Sequence, residues 1–160
     1  MCALVALDHL PVGQRALAGA IISGAPIASV GVAKPALVAL AKTLSRVWPT
    51  FVLRTHLDVD AISRDPEVHG VVTARWGVEA LDAVRRVRAN AAQITLPVLF
   101  IHGGADRLNA VDGLPPYVER LSSSDKALRI YPGAFHETHN DLDHAAIVAD
   151  IAAWLEARAG

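Results

Sequence analysis

Two short apolar runs constrain this chain most. "LPVLFIHG" (96–103) and "ALRIYPG" (127–133) each end in a turn-forming glycine. Runs this short, rich in branched side chains and closed by Gly or Pro, read as strands rather than helices. Between them "VDGLPPYVERLSS" reads as a loop and a helix. Upstream, "LAGAIIS" (17–23) is a near-continuous apolar run that stops at Gly24 and Pro26, and it reads as a strand buried on both faces. Strands alternating with helices in this way predict an α/β fold, a parallel sheet of about three strands with helices on its faces.

The helices follow from spacing. Residues 2–10 read as a short helix stopped by Pro11 and Gly13. From residue 28 to about 90 the character changes to helical apolar spacing with several prolines and no convincing strand. Pro35 suits a first helical position, and Leu37, Leu40, Ala41, Leu44 and Val47 follow at helical intervals. A second helix is expected over about 78–90, with Leu81, Val84 and Val87 on one side and Arg85, Arg86 and Arg88 largely on the others. The last helix carries Ile147, Val148, Ile151, Trp154 and Leu155, one full apolar stripe. The expected organisation is one domain over 1–160, with a helical cap or lid inserted over 28–90 and a C-terminal core over 91–160.

Composition excludes several classes. At 160 residues the chain can bury one core. It is 52% hydrophobic, yet no apolar run reaches the roughly 18 residues that cross a bilayer. A net charge of −1 gives no field to recruit nucleic acid. The single cysteine, Cys2, forbids an internal disulfide and suits a reducing compartment. "MCALVALDHL" lacks the basic start of a signal peptide, so a cytoplasmic location is expected.

In parallel sheets function sits in loops beyond the carboxyl ends of the strands. Two loops qualify, "HGGADRLNA" and "GAFHETHN". Asp106 lies five residues past Ile101, and His136 five past Tyr131. Neighbouring strands thus deliver a carboxylate and an imidazole to one sheet edge. An acid that orients a histidine is two thirds of a Ser-His-Asp triad, so both are expected to be catalytic.

"LPVLFIHGGADRLNAVDG", "KALRIYPGAFHETHND" and "VADIAAWLEAR" together resemble the C-terminal half of the monoacylglycerol lipase and lysophospholipase group of α/β-hydrolases, also catalogued as serine aminopeptidase-like. The resemblance covers nearly the whole chain and implies a partial α/β-hydrolase fold. It makes Asp106 the triad acid and His136 the base, with a small lipid ester as substrate and no cofactor. "AISRDPEV" (61–68) resembles the cap segment of that group, which implies peripheral membrane contact through the cap.

The nucleophile of such enzymes sits in G-x-S-x-G, and no serine here qualifies. Ser23 follows two isoleucines, Ser29 has Ile27 before it, and Ser122 to Ser124 have leucine and aspartate as neighbours. Set against the group's G-H-S-M-G elbow, "MCALVAL" places Met1 directly after the nucleophile, where its backbone N–H would belong to the oxyanion hole. The expectation is a chain cut one residue past its serine and inactive alone. Its "LAGAIIS" edge, left unpaired, is expected to seek a partner or a second copy. Set against that group, the cap is also shorter by about ten residues after "RDPEV", which leaves the acyl and leaving groups undefined.

Rival readings are weaker. His136, Glu137, His139, Asp141 and His144 resemble a metal cluster, but "HETH" spaces its histidines three apart rather than the four of H-E-x-x-H, so no metal is expected. His139 and His144 read as solvated polarity around the last helix, with Asn140 or Asp141 as its N-cap. "RRVR" (85–88) reads as a solvated helix face. Asp112 suits an N-cap better than the role of triad acid. Asp8 and His9 are expected to face outward. "HGG" (102–104) reads as turn glycines, and the helix in "KPALVALAKTLSRVW" as core packing rather than a lipid-facing lid.

Overall fold

The computed structural model describes residues 2–27, 35–54, 71–141 and 143–158. Contacts divide the chain into two compact units, Met1–Ser29 with Ala83–Gly160, and Val30–Asp82.

The first unit holds a parallel three-stranded sheet in the order β1 (Ala20–Ser23), β4 (Val98–Gly103), β5 (Lys126–Tyr131). Ala20 stands opposite Val98, and Val98 opposite Lys126, so all three strands start level; β4 and β5 end together at Gly103 and Tyr131, whereas β1 stops at Ser23, opposite Ile101. β4 lies in the middle and is buried at all six positions. Its side chains alternate between faces. Leu99 and Ile101 pack with Ile147 and Trp154 of α5 (His144–Glu156). On the other face Phe100 meets Tyr117 of α4 (Leu114–Glu119) edge to face, with centroids 5.9 Å apart. Burial raises the Tyr117 phenol above its ordinary range.

α1 (Cys2–Gly13) buries Leu4, Leu7 and Leu10, whose spacing of three keeps them on one side. The helix does not stop at Pro11 but contains it. A proline in the last turn forfeits one backbone bond only, and the chain then tightens into a 3₁₀ turn over Gln14–Ala16. Asp8 takes three hydrogen bonds from the Arg86 guanidinium, at 3.1 Å on Oδ1 and at 3.2 and 2.7 Å on Oδ2. One arginine of "RRVR" is therefore paired rather than merely solvated.

Four further expectations need correction. β1 is four residues long rather than seven, and only Ile22 in it is fully buried. It hydrogen-bonds to β4 on one side, and no strand covers its other edge among the described residues. The α5 stripe is narrower than its sequence implies: Ile147 and Trp154 are buried, whereas Val148 and Leu155 are about half exposed at 48% and 49%. Its N-cap is Asp143, not Asn140 or Asp141. Asp112 caps nothing. It sits exposed in a 3₁₀ turn, Val111–Gly113, and α4 starts without a side-chain cap.

Ion pairs fasten α5 to the sheet. Arg129 of β5 pairs with Asp150, and the Tyr131 hydroxyl donates to the same carboxylate at 2.8 Å. Arg158 grips Asp125 and lies 4.1 Å above the Trp154 ring. These cations hold both carboxyls below their usual range.

The second unit contains α2 (Pro35–Val47) and, contrary to expectation, two strands. β2 (Val52–Arg54) and β3 (Val71–Thr73) pair antiparallel, with Val52 opposite Thr73. Each is a short branched run, "VLR" and "VVT", and two such runs satisfy one another's backbone. α3 (Ala74–Ala89) begins four residues earlier than its apolar spacing suggests. The Thr73 hydroxyl accepts from the Trp76 N–H at 3.2 Å, an N-cap that the spacing alone does not reveal. On α2, Leu40 and Val47 are exposed at 54% and 80%, which is not core packing. "AISRDPEV" lies outside the described residues.

Candidate active site

The carboxyl ends of the three parallel strands place three loops together in the first unit. The loop after β4 is stitched to the loop after β5 by backbone: Gly104 N–H donates to Tyr131 O at 2.8 Å and Ala105 N–H to Ala134 O at 3.0 Å. So tight a crossing leaves no room for a side chain at Gly103. A Cβ there would lie 2.1 Å from Phe135 O.

Asp106 follows at the head of this crossing, with its side chain at 0% exposure. A buried carboxylate must have its lone pairs met. Leu108 and Asn109 donate their backbone N–H groups to Oδ1 at 2.8 and 3.0 Å. His136 Nδ1 stands 2.8 Å from Oδ2. A carboxylate at this position accepts, so Nδ1 carries the hydrogen. In the neutral ring Nε2 then bears the lone pair.

The loop after β5 is held from outside as well. Phe135 N–H donates to Asp141 Oδ2 at 2.5 Å, and Thr138, fully buried, sits 3.5 Å from the Ser23 hydroxyl. The loop after β1 supplies the floor. Gly24 has φ +59°, and a Cβ on it would come within 2.9 Å of His136 Cε1. The turn thus lies flat against the imidazole, in a backbone conformation that glycine adopts without strain.

The His136 side chain is 28% exposed and lines an open cavity of about 400 Å³ shared with Cys2, Ala6, Ile22, Glu137 and His139. A buried acid, an oriented imidazole and a free ring nitrogen at a cavity form the acid–base part of a proton-transfer site. The structure therefore brings Asp106 and His136 together. Met1, the expected oxyanion donor, lies outside the described residues.

Of the remaining histidines of this loop, His139 lines the same cavity as His136. Glu137 takes the Asn140 amide at 3.0 Å, and His144 Nδ1 folds onto Asp141 O at 2.9 Å. No group of three metal-ligating side chains occurs among the described residues.

One residue escaped the sequence reading. His102, at the end of β4, is wholly buried beside Asp106, with Nε2 at 3.3 Å from Oδ2. The available signal was an imidazole closing an otherwise apolar run. "HGG" read as a turn hid it.

The family described as "Serine aminopeptidase, S33" matches residues 1–143. The chain is 33% identical over 146 residues to a monoacylglycerol lipase of Mycolicibacterium smegmatis, covering 84% of this chain and 52% of that protein. Against human monoglyceride lipase the identity is 32% over 133 residues, covering 76% and 44%. The chain spans about half the length of these curated relatives. The crystal structure of Paleococcus ferrophilus monoacylglycerol lipase is similar at TM-score 0.88 and 26% identity, over 98% of this chain and 65% of that one. A soluble variant of the Saccharomyces cerevisiae monoglyceride lipase is similar at TM-score 0.81 and 22% identity, covering 98% and 62%, a likeness of fold alone.

Proposed function

Because the chain belongs to the serine aminopeptidase S33 family of α/β-hydrolases, we propose that it supplies the acid–base half of a serine ester hydrolase. The observation that carries this reading is the 2.8 Å contact between His136 Nδ1 and the buried Asp106 carboxylate. In the reaction a serine hydroxyl attacks the ester carbonyl. His136 Nε2 takes the hydroxyl proton and then delivers it to the departing alcohol, while Asp106 holds the tautomer and stabilises the imidazolium. The substrate class, monoacylglycerols or similar small lipid esters, is supported by the names of the relatives. Exposed Leu40, Val47 and Trp48 support lipid contact through the cap. No helix among the described residues is long and apolar enough to cross a membrane, and a peripheral enzyme on the cytoplasmic side fits that reading.

The 160 residues contain no G-x-S-x-G, and without a nucleophile the pair has nothing to activate. The expected result is no turnover of short-chain esters by this chain. A longer polypeptide that places an in-frame G-x-S directly ahead of Met1 should turn over, and His136→Ala should lower kcat by about 10³-fold or more. Turnover by the 160-residue chain that His136→Ala abolishes would contradict the inactivity. Full activity of the longer His136→Ala polypeptide would contradict the assignment itself.

One observation favours a second, non-catalytic reading: among the described residues no strand pairs with the outer edge of β1, beside the exposed Leu17. A second copy adding its own strand there would complete the sheet. Light scattering that finds a monomer at every concentration would remove this reading.

A further inference from the structure

We infer that His102 is a positioning residue for the acid–base pair, acting in the neutral tautomer that carries its hydrogen on Nε2. The inference rests on the reading of Asp106 and His136 given above. His102 is 0% exposed within a strand whose other side chains are apolar. An aliphatic side chain would fill this volume without desolvating any nitrogen. Instead Nδ1 is buried with no hydrogen-bond partner among the described residues, a cost that an imidazole has to offset elsewhere.

The offset lies at Nε2. It stands 2.9 Å from the Asn109 carbonyl, which can only accept, so Nε2 carries the hydrogen. The same nitrogen is 3.3 Å from Asp106 Oδ2, so the partial positive charge of its N–H lies against that oxygen while the hydrogen bond itself goes to Asn109 O. Oδ2 therefore faces one imidazole behind it, His102, and one in front, His136, while Oδ1 is pinned by the Leu108 and Asn109 amides. Rotation of the carboxylate would break contacts on both sides.

Asn109 extends the clamp. Its carbonyl takes the His102 hydrogen, and its side-chain amide donates to Gly24 O at 2.8 Å. Gly24 in turn lies against the His136 ring. The path from His102 through Asn109 and Gly24 to His136 closes around Asp106 and joins all three strand-end loops. Such support of a functional group by an outer hydrogen-bonding partner is what fixes ligand and catalytic imidazoles elsewhere.

The test uses the isotope-labelled 160-residue chain at mildly alkaline pH. Proton–nitrogen correlation spectra of the imidazoles should show His102 protonated on Nε2, with Nδ1 bare. A His102 protonated on Nδ1 overturns the inference outright, since Nε2 would then have no hydrogen to give. The second readout is the low-field His136 Nδ1–H resonance. His102→Leu keeps the volume and should lose that resonance, whereas His102→Gln keeps an N–H donor and should retain it. Retention in both variants, or loss in both while the chain stays folded, overturns the inference. If neither variant folds, the tautomer in the unsubstituted chain decides. Asp106→Asn separates this inference from the reading beneath it. If Asp106→Asn leaves the His136 resonance untouched, the acid–base pair itself fails. If it erases the resonance while His102→Leu does not, only the role of His102 fails.

Discussion

Gly103 bears the tightest steric constraint at the site. A methyl group there meets two backbone oxygens, Phe135 O at 2.1 Å and Ala134 O at 2.3 Å, and backbone cannot swing aside as a side-chain tip can. Gly103→Ala is expected to cost about 1–3 kcal/mol by urea titration, because the His136 loop must move off the end of β4. Gly77, inside α3, is the contrast: a Cβ on it meets nothing within 4 Å. Gly77→Ala should stabilise the chain by about 0.5–1 kcal/mol, since the helix gains a better former at no steric cost. Equal destabilisation by both substitutions would contradict these contacts. At this scale Asp106 and His136 were legible because each lies in the loop just past a recognisable strand, three residues beyond Gly103 and five beyond Tyr131. His102 was not, since its role depends on which atoms surround it, and a strand pattern records only that a position is inward. Cap assignments failed at Asp112 and Asn140 for a related reason. Several acids and amides precede each helix, and the backbone geometry that selects among them is not written in residue type.

β4 is the element on which the sheet depends. Leu99 is at 0% exposure against Ile147 and Trp154, so Leu99→Ala should cost about 2–5 kcal/mol in chemical denaturation. A loss under 1 kcal/mol would mean that α5 does not pack as described. The contact between β5 and α5 should also depend on pH. Asp150 is held below its ordinary value of 3.8, first by the Arg129 hydrogen bond and then by the Tyr131 hydroxyl. A carboxyl with a depressed folded pKa stabilises fully above the ordinary value, and that contribution is lost as pH falls through the folded value. Urea midpoints should therefore decline on acidification below 3.8, and Asp150→Asn should flatten that decline. An unchanged acid limb in the variant would contradict the pairing. Short apolar runs closed by glycine made β4 and β5 legible, and an apolar stripe at helical spacing made α5 legible. β2 and β3 were missed because three-residue strands are shorter than any period can reveal. The exposed Val148 and Leu155 were misjudged because one helix face can be apolar without all of it touching the sheet.

For the whole molecule, alternation of strands and helices was enough to predict a parallel sheet, and the described residues and the family match bear it out. The second unit, Val30–Asp82, was legible as a change of character over about 28–90, and its two three-residue strands are too short to show in the sequence. Function depends on the loops at the carboxyl ends of β4 and β5 gathering one buried carboxylate and one partly exposed imidazole. The most direct measurement is the low-field proton spectrum of the intact 160-residue chain. It should contain a protected His136 Nδ1–H resonance that Asp106→Asn erases and that His139→Ala leaves in place. A folded chain without that resonance, or one in which it survives Asp106→Asn, would contradict the account.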